Sequence, residues 1–323
     1  MARRILGLFA VLALVAAACS SAGASQDSTT TLAPTTTAAP TTTTAPTTVP
    51  EDTGFPVTIE APNGPVTIEE RPERIVSLSP TSTEVLYAVG AGSQIVAVDD
   101  QSNYPAEAPT SDLTGFDPNL EAIAAYDADL VIVMYDPGDV IAGLEAIGIP
   151  VLEHPAAATL DDTYVQIEQI GAATGHIGEA GELVAAMRSD IDAATSRAQT
   201  SGETYYHEVS PELYSLTSAT FAGALYAMFG LENIADAADP DGWGYPQLSA
   251  EHVLAEDPAI IFLADTKCCG QSVAAIGERP GWDALTAVEQ GAIVELDDDV
   301  ASRWGPRVVD FVEAIAMAVE ENA

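Results

Sequence analysis

From residue 74 onward, short apolar runs alternate with stretches of helical spacing. Residues 74–78, 94–99, 128–135 and 150–153 read as buried strands, and 80–90, 119–126 and 139–147 read as the helices between them. Ser79, Pro80 and Thr81 are suited to open the first of these helices, with Glu84 in its early turns. Apolar strands separated by helices at this spacing predict a parallel sheet covered on both faces. The alternation restarts further on, with strands at 204–209, 259–263 and 293–296, helices at 220–229 and 249–255, a short turn at 281–284 and a closing helix at 307–319. Residues 159–198 lie between the two series and are helical in pattern apart from one break at 174–178. After that break Ala180, Leu183, Val184, Met187 and Ile191 keep helical spacing. A helix of some twenty residues spans about 30 Å, enough to run from one lobe to another. Ahead of everything else, 55–68 alternates apolar and polar residues around Pro62-Asn63-Gly64, a hairpin signal. The predicted fold class is α/β, with a first lobe at 55–158, helices including a bridge at 159–202, and a second lobe at 203–323.

The first 54 residues follow other rules. Arg3 and Arg4 precede an apolar run at 5–18, whose fourteen residues reach roughly 21 Å, short of the roughly 30 Å hydrocarbon layer. A cleaved leader fits this better than a membrane span. The run ends in Val15-Ala16-Ala17-Ala18-Cys19, which resembles a bacterial lipobox with Ala16 where leucine is usual. That resemblance implies a signal peptide at 1–18 and an acylated Cys19 that anchors the chain to the cell membrane. Residues 28–50 hold twelve Thr and four Pro and no charge, too little apolar surface to offset ordering entropy, so 19–54 is expected to be a disordered stalk.

The composition is 47% hydrophobic over 323 residues, ample core for two domains. Forty-nine acidic residues stand against ten basic ones, a formal charge of −39. Without Arg3 and Arg4 eight basic residues remain and the charge is −41, which excludes nucleic acid as a partner.

Several segments occur in a telling order. Arg74-Ile75-Val76-Ser77-Leu78-Ser79-Pro80-Thr81-Ser82-Thr83-Glu84 reads as a strand, a Ser-Pro turn and a Thr-Glu helix start. Asn103-Tyr104-Pro105 follows, then Asn119-Leu120-Glu121-Ala122-Ile123 with Ala128-Asp129-Leu130-Val131-Ile132, and later Tyr245-Pro246-Gln247-Leu248-Ser249-Ala250-Glu251. Together they resemble the substrate-binding proteins of bacterial ABC importers for iron complexes and vitamin B12, the last segment being similar to the B12-binding protein in particular. The resemblance covers about 55–319. It implies two Rossmann-like lobes bridged by one long rigid helix, a monomer with a single ligand clamped in the cleft, no catalysis and no intrinsic cofactor. It further implies a metal chelate as ligand (cobalamin, ferric siderophore or haem), an ABC permease dimer with its ATPase subunits as partner, and an extracytoplasmic location. In this family one glutamate on the outer surface of each lobe docks onto permease arginines; the matching positions are read as Glu84 and Glu251.

Ligands of doubly wound sheets sit beyond the carboxyl ends of strands. That rule nominates Tyr104, Phe116, Tyr135, His207 and the loops after Leu263 and Leu296. Trp243-Gly244-Tyr245-Pro246 sets two aromatics on a braced loop suited to stacking on a large flat ligand, and the resemblance places an aromatic at Tyr245. Arg303, beside Trp304, reads either as an anion-binding group or as a partner of Asp297, Asp298 and Asp299; with Lys267 it would form a positive patch. The three aspartates lack the spaced oxygen ligands of a calcium loop. Cys268 and Cys269 are adjacent, and three readings stay open: a vicinal disulfide, inert thiols, or thiolates favoured by Lys267. His154, His176, His207 and His252 are too scattered for a metal site, although His154 and His207 end strands in opposite lobes and are placed to meet across a cleft.

No Walker-type phosphate loop and no Gly-x-Ser-x-Gly elbow occurs, which leaves ATP hydrolysis to a partner and disfavours a secreted hydrolase. The leading expectation is a receptor that captures a chelate and hands it to a permease, with cobalamin slightly ahead. The alternatives are a zinc or manganese transport receptor, for which a His-rich loop is missing, and a thiol oxidoreductase using Cys268 and Cys269, for which Cys-x-x-Cys is the usual spacing.

Overall fold

The computed structural model describes residues 54–322 apart from residue 201. The leader, Cys19 and the Thr/Pro-rich stalk lie outside the described residues.

β1 (Val57–Ala61) and β2 (Gly64–Ile68) pair as an antiparallel hairpin that turns through Pro62 and Asn63. Asn63 also fixes where the hairpin docks, because its side chain donates to the carbonyl of Val151 at 2.9 Å and accepts from the amide of Glu153 at 3.2 Å. The strands β3 (Ile75–Leu78), β4 (Ile95–Val98), β5 (Leu130–Val133) and β6 (Val151–Glu153) form a parallel sheet in the order β4-β3-β5-β6. β3 and β5 are buried at every position, as strands packed between helices must be. α1 (Pro80–Ala88), α2 (Leu120–Ala124) and α3 (Val140–Ala146) belong to this lobe. α1 begins where Ser79 accepts from the amide of Ser82 and Pro80 supplies a first-turn residue with no amide proton to satisfy.

α4 (Leu160–Thr174) opens on a capping box between Thr159 and Asp162 and stops at Gly175, whose φ of 77° ends the helix. α5 (Ile177–Arg197) follows at once; its 21 residues span about 30 Å. The second parallel sheet contains β7 (Thr204–Glu208), β8 (Glu232–Asn233), β9 (Ile260–Leu263) and β10 (Ile293–Glu295) in the order β10-β9-β7-β8. Its helices are α6 (Phe221–Ala227), α7 (Ala250–Glu256), α8 (Thr266–Cys269), α9 (Val273–Gly277), α10 (Thr286–Gln290), α11 (Asp298–Ser302) and α12 (Val308–Asn322).

The architecture is the expected one: two α/β lobes with a long helix between them. α5 buries Ala180, Val184, Met187, Ile191 and Ala194, and packs against α4 of the first lobe and α12 of the second. One apolar core therefore runs through both lobes, joining Ile75 and Leu130 to Tyr205, Phe262 and Phe311. Each sheet has a further core of its own, around Val76 and Val131 in the first lobe and around Ile261 and Trp282 in the second. The elements without a sequence signal are β8 and α8 to α11, each five residues or fewer, too short to show a period. Asp297-Asp298-Asp299 is a capping segment: Asp297 accepts from the amides of Asp299 and Val300 to start α11, and Asp298 accepts from the amides of Thr266, Lys267 and Cys268.

Gly171 lets α4 and α5 approach, since a Cβ there would overlap the Cβ of Ala180, whereas a Cβ on Gly178 would meet nothing within 4 Å. Urea unfolding is accordingly expected to show Gly171→Val less stable by about 1–3 kcal/mol and Gly178→Ala more stable by about 0.5–1 kcal/mol.

Candidate functional site

The carboxyl ends of both sheets open onto one cleft, in which two cavities share Ser302 and Trp304. The first, of about 220 Å³, is walled by Leu78 at the end of β3, Asp99 after β4, Met134 after β5 and Phe116, with Arg303 on the opposite side. The second, of about 390 Å³, lies over His207, Val209 and Ala264 at the ends of β7 and β9, and is rimmed by Trp243 and Tyr245. The loop bearing Phe116 can lie this close to β3 because residue 115 is glycine; a Cβ there would stand 2.7 Å from the carbonyl oxygen of Leu78. Phe116 is 64% exposed with its ring 6.2 Å from that of Tyr135, and Trp243 is 69% exposed with its ring 6.4 Å from that of Tyr245. Large aromatics left open around a cavity are characteristic of a binding surface. Polar contacts brace Trp243 and the half-buried Trp304: Asp239 accepts from the amides of Trp243 (3.0 Å) and Gly244 (2.6 Å), and the Trp304 indole donates to Gln166 at 2.9 Å. Gln166 lies on α4 in a stretch with no motif, and its role was not legible in the sequence.

Phe116, Trp243, Tyr245, Arg303 and Trp304 thus meet in the cleft, Tyr135 stands beside Phe116, and His207 lies beneath the second cavity. Other expected residues are elsewhere. Tyr104 lines neither cavity; its ring lies 4.2 Å from the guanidinium carbon of Arg307, on a separate hollow that it lines together with Tyr87 of α1. Lys267 is turned to Asp297 (2.6 Å) and Asp299 (3.1 Å), so it offers the cleft no free charge. Glu84 is not on an outer surface: it is 3% exposed and accepts from Arg303 (2.7 Å) and twice from Arg307 (2.6 and 2.9 Å). The reason is that its face of α1 packs against the 303–307 segment from the second lobe. Glu251, by contrast, is exposed in the first turn of α7.

His154 and His207 do not meet across the cleft. The Nδ1 of His207 hydrogen-bonds the Tyr226 hydroxyl at 2.8 Å, while His154 is buried beside a separate cavity lined by Gln166 and Gln169. Burial lowers the two imidazole pKa values, to about 3 and about 4 respectively, so both rings are neutral at physiological pH. His176 pairs with Arg71, and His252 with the carbonyl of Ile234. Among the described residues no group of three or more His, Cys, Asp or Glu is arranged to hold a metal ion. Cys268 and Cys269 are disulfide-bonded to each other, exposed on α8, and line neither cavity.

The second lobe also holds a buried charged group that the sequence did not announce. Glu208, fully buried at the end of β7, receives both Arg279 nitrogens at 2.6 Å and the Tyr206 hydroxyl at 3.0 Å. Asp265 faces it from the end of β9, also fully buried, and neither of its oxygens is given a donor. Burial first, and the neighbouring Glu208 second, push the Asp265 pKa up to about 7. Asp265 therefore holds its proton more tightly in the folded chain than in the unfolded one, and its contribution to stability falls as pH rises from its ordinary value of 3.8 toward 7. Thermal unfolding of Asp265→Asn is expected to show a gain over the parent of about 1–2 kcal/mol above pH 7, converging with the parent near pH 4.

Compared with protein-family models, residues 75–300 match that of the periplasmic binding proteins. An uncharacterized ABC transporter substrate-binding lipoprotein of Bacillus subtilis is 33% identical over 277 residues, 82% of this chain and 86% of that protein. A cobalamin-binding protein of Halobacterium salinarum is 27% identical over 279 residues, 82% of this chain and 74% of that protein. Among solved structures, the periplasmic vitamin B12-binding protein BtuF of Vibrio cholerae superposes with a TM-score of 0.62 at 26% identity, covering 77% of this chain and 97% of that one. The fold and the match across both lobes agree: the chain belongs to the periplasmic binding protein family, which binds substrates and does not transform them.

Proposed function

We propose that this protein is the extracytoplasmic substrate-binding component of an ABC importer, held to the membrane by a lipid on Cys19, and that it captures a metal chelate in the cleft and delivers it to a permease. The observation that carries this reading is the convergence of Phe116, Trp243, Tyr245 and Trp304 from both lobes on one cleft. A ligand gripped there must be large enough to touch both walls and must present extended apolar faces. Cobalamin meets both demands, and relatives named for cobalamin and vitamin B12 support placing it ahead of ferric siderophores and haem.

Docking to the permease is assigned to Glu121 and Glu251, in place of the buried Glu84. The two positions are equivalent in the two lobes. Asn119 caps α2 and Ser249 caps α7 by the same side-chain bond to the third residue on, each helix carries one exposed glutamate in its first turn, and each chain then passes through an aspartate of positive φ, Asp127 (48°) and Asp257 (45°). The next strands, β5 and β9, begin at matching distances. Two like carboxylates at equivalent places suit a partner of two-fold symmetry, where charge pairs fix register.

Tryptophan fluorescence, corrected for absorption by the ligand, is expected to fall saturably on titration with cyanocobalamin, with a Kd of about 1 µM or tighter. Trp304→Ala should weaken binding by about tenfold or more. No saturable response to cyanocobalamin, a ferric hydroxamate or haem in folded protein would refute the chelate reading. In cells, Glu121→Arg with Glu251→Arg is expected to abolish uptake while the purified double variant keeps its ligand affinity; undiminished uptake would remove the docking assignment.

A further inference from the structure

The cleft of a strongly acidic protein contains an arginine, and its surroundings decide what that charge does. Among the described residues lining the two cavities, Arg303 is the only one that is always cationic. Its guanidinium is already occupied: Nη1 donates to Glu84 at 2.7 Å, and Nη2 donates to Asp299 at 2.8 Å and to the carbonyl of Gln101 at 3.0 Å. Each of its two carboxylates is shared with another cation, Glu84 with Arg307 and Asp299 with Lys267, and Lys267 also reaches Asp297. Asn103, from the first lobe, adds a donor to Asp299 at 3.1 Å.

This arrangement gathers three of the eight cations downstream of the leader, matches them with three carboxylates, and leaves no net charge. Glu84 is the most deeply buried member and reaches the cluster from α1, so the balance is made between the lobes. A buried guanidinium neutralised by well-formed pairs attracts an incoming anion weakly, because the ligand would have to displace a carboxylate already in place. The other ionisable groups on these walls are Asp99, Asp298, the neutral His207, and Tyr245, whose pKa burial raises; none offers an anion a positive charge.

We propose that Glu84 and Asp299 are specificity-determining residues: by occupying Arg303 they leave the cleft wall without a free positive charge, so that the site takes chelates without net negative charge, such as a corrinoid amide or a neutral ferric hydroxamate, and turns away anionic ones such as ferric tricatecholates. The proposal rests on the reading of the cleft as a chelate receptor and names the charge class it selects. Glu84 lines neither cavity and Asp299 lies at the edge of the first; both act through Arg303, and are positioning residues in that sense.

The test compares the full chain with Glu84→Gln and Asp299→Asn, the second a partly exposed position whose replacement leaves the buried Glu84 pairs intact. Two corrinoids that differ by one charge serve as probes: cyanocobalamin and its monocarboxylic acid, in which one peripheral amide is hydrolysed. The parent should bind the amide form about tenfold tighter than the acid, and both variants should narrow or invert that ratio. Inorganic pyrophosphate is the second probe and needs no corrinoid site; it should raise the melting temperature of the variants and leave that of the parent unchanged. Ratios unchanged in both variants, together with no pyrophosphate effect, overturn the proposal. If the parent binds neither corrinoid, the cobalamin reading falls on its own, and the pyrophosphate comparison still decides whether Glu84 and Asp299 mask Arg303.

Discussion

The apolar face of α5, held by α4 on one side and α12 on the other, is the constraint from which the rest of the molecule follows. Because the core there is continuous from Ile75 to Phe311, the two parallel sheets cannot be oriented independently. Their carboxyl ends are brought to face each other, and parallel strands offer loops and binding groups at that end. A two-lobed protein with a flexible tether would open and close widely; a packed seam allows small adjustments only, because interiors at this density do not deform continuously. The cleft is thus a largely preformed site, consistent with an exposed Trp243 braced by Asp239 and a half-buried Trp304 held by Gln166.

Electrostatics divides between the surface and the seam. The excess of acidic residues keeps the chain hydrated and repels polyanions, but it says nothing of the cleft. There the scarce cations are concentrated and balanced. Removing one member of a buried set such as Glu84, Arg303 and Arg307 leaves an uncompensated charge, so the set is maintained as a unit. The Glu208–Arg279 pair in the second lobe repeats this logic within one lobe, and beside it burial pushes the Asp265 pKa up to about 7.

Much of the architecture was legible in the sequence because local signals agreed with tertiary demands. The apolar strands around Ile75 and Leu130, the Asn63-Gly64 turn and the long periodic stretch ending in Ile191 each had one sensible structure. Trp243 and Tyr245 were legible for the opposite reason, as aromatics on a Gly/Pro loop with no core to fill. Glu84 was misread because a helix start does not reveal which face is covered by a segment 219 residues away. Glu121 lay within a recognised segment, yet its equivalence to Glu251 emerges only when capping, exposure and the positive-φ aspartates are compared. Lys267 looked free because its partners, Asp297 and Asp299, belong to a turn whose helix is too short to show a period.

The central claim is that one ligand is gripped by both lobes. Hydrogen–deuterium exchange of the protein with and without saturating cyanocobalamin tests it most directly. The account predicts slower exchange in the loops carrying Phe116 and Tyr135 of the first lobe and in those carrying Trp243, Tyr245 and Trp304 of the second. Protection confined to one lobe, or located away from the cleft, would contradict it.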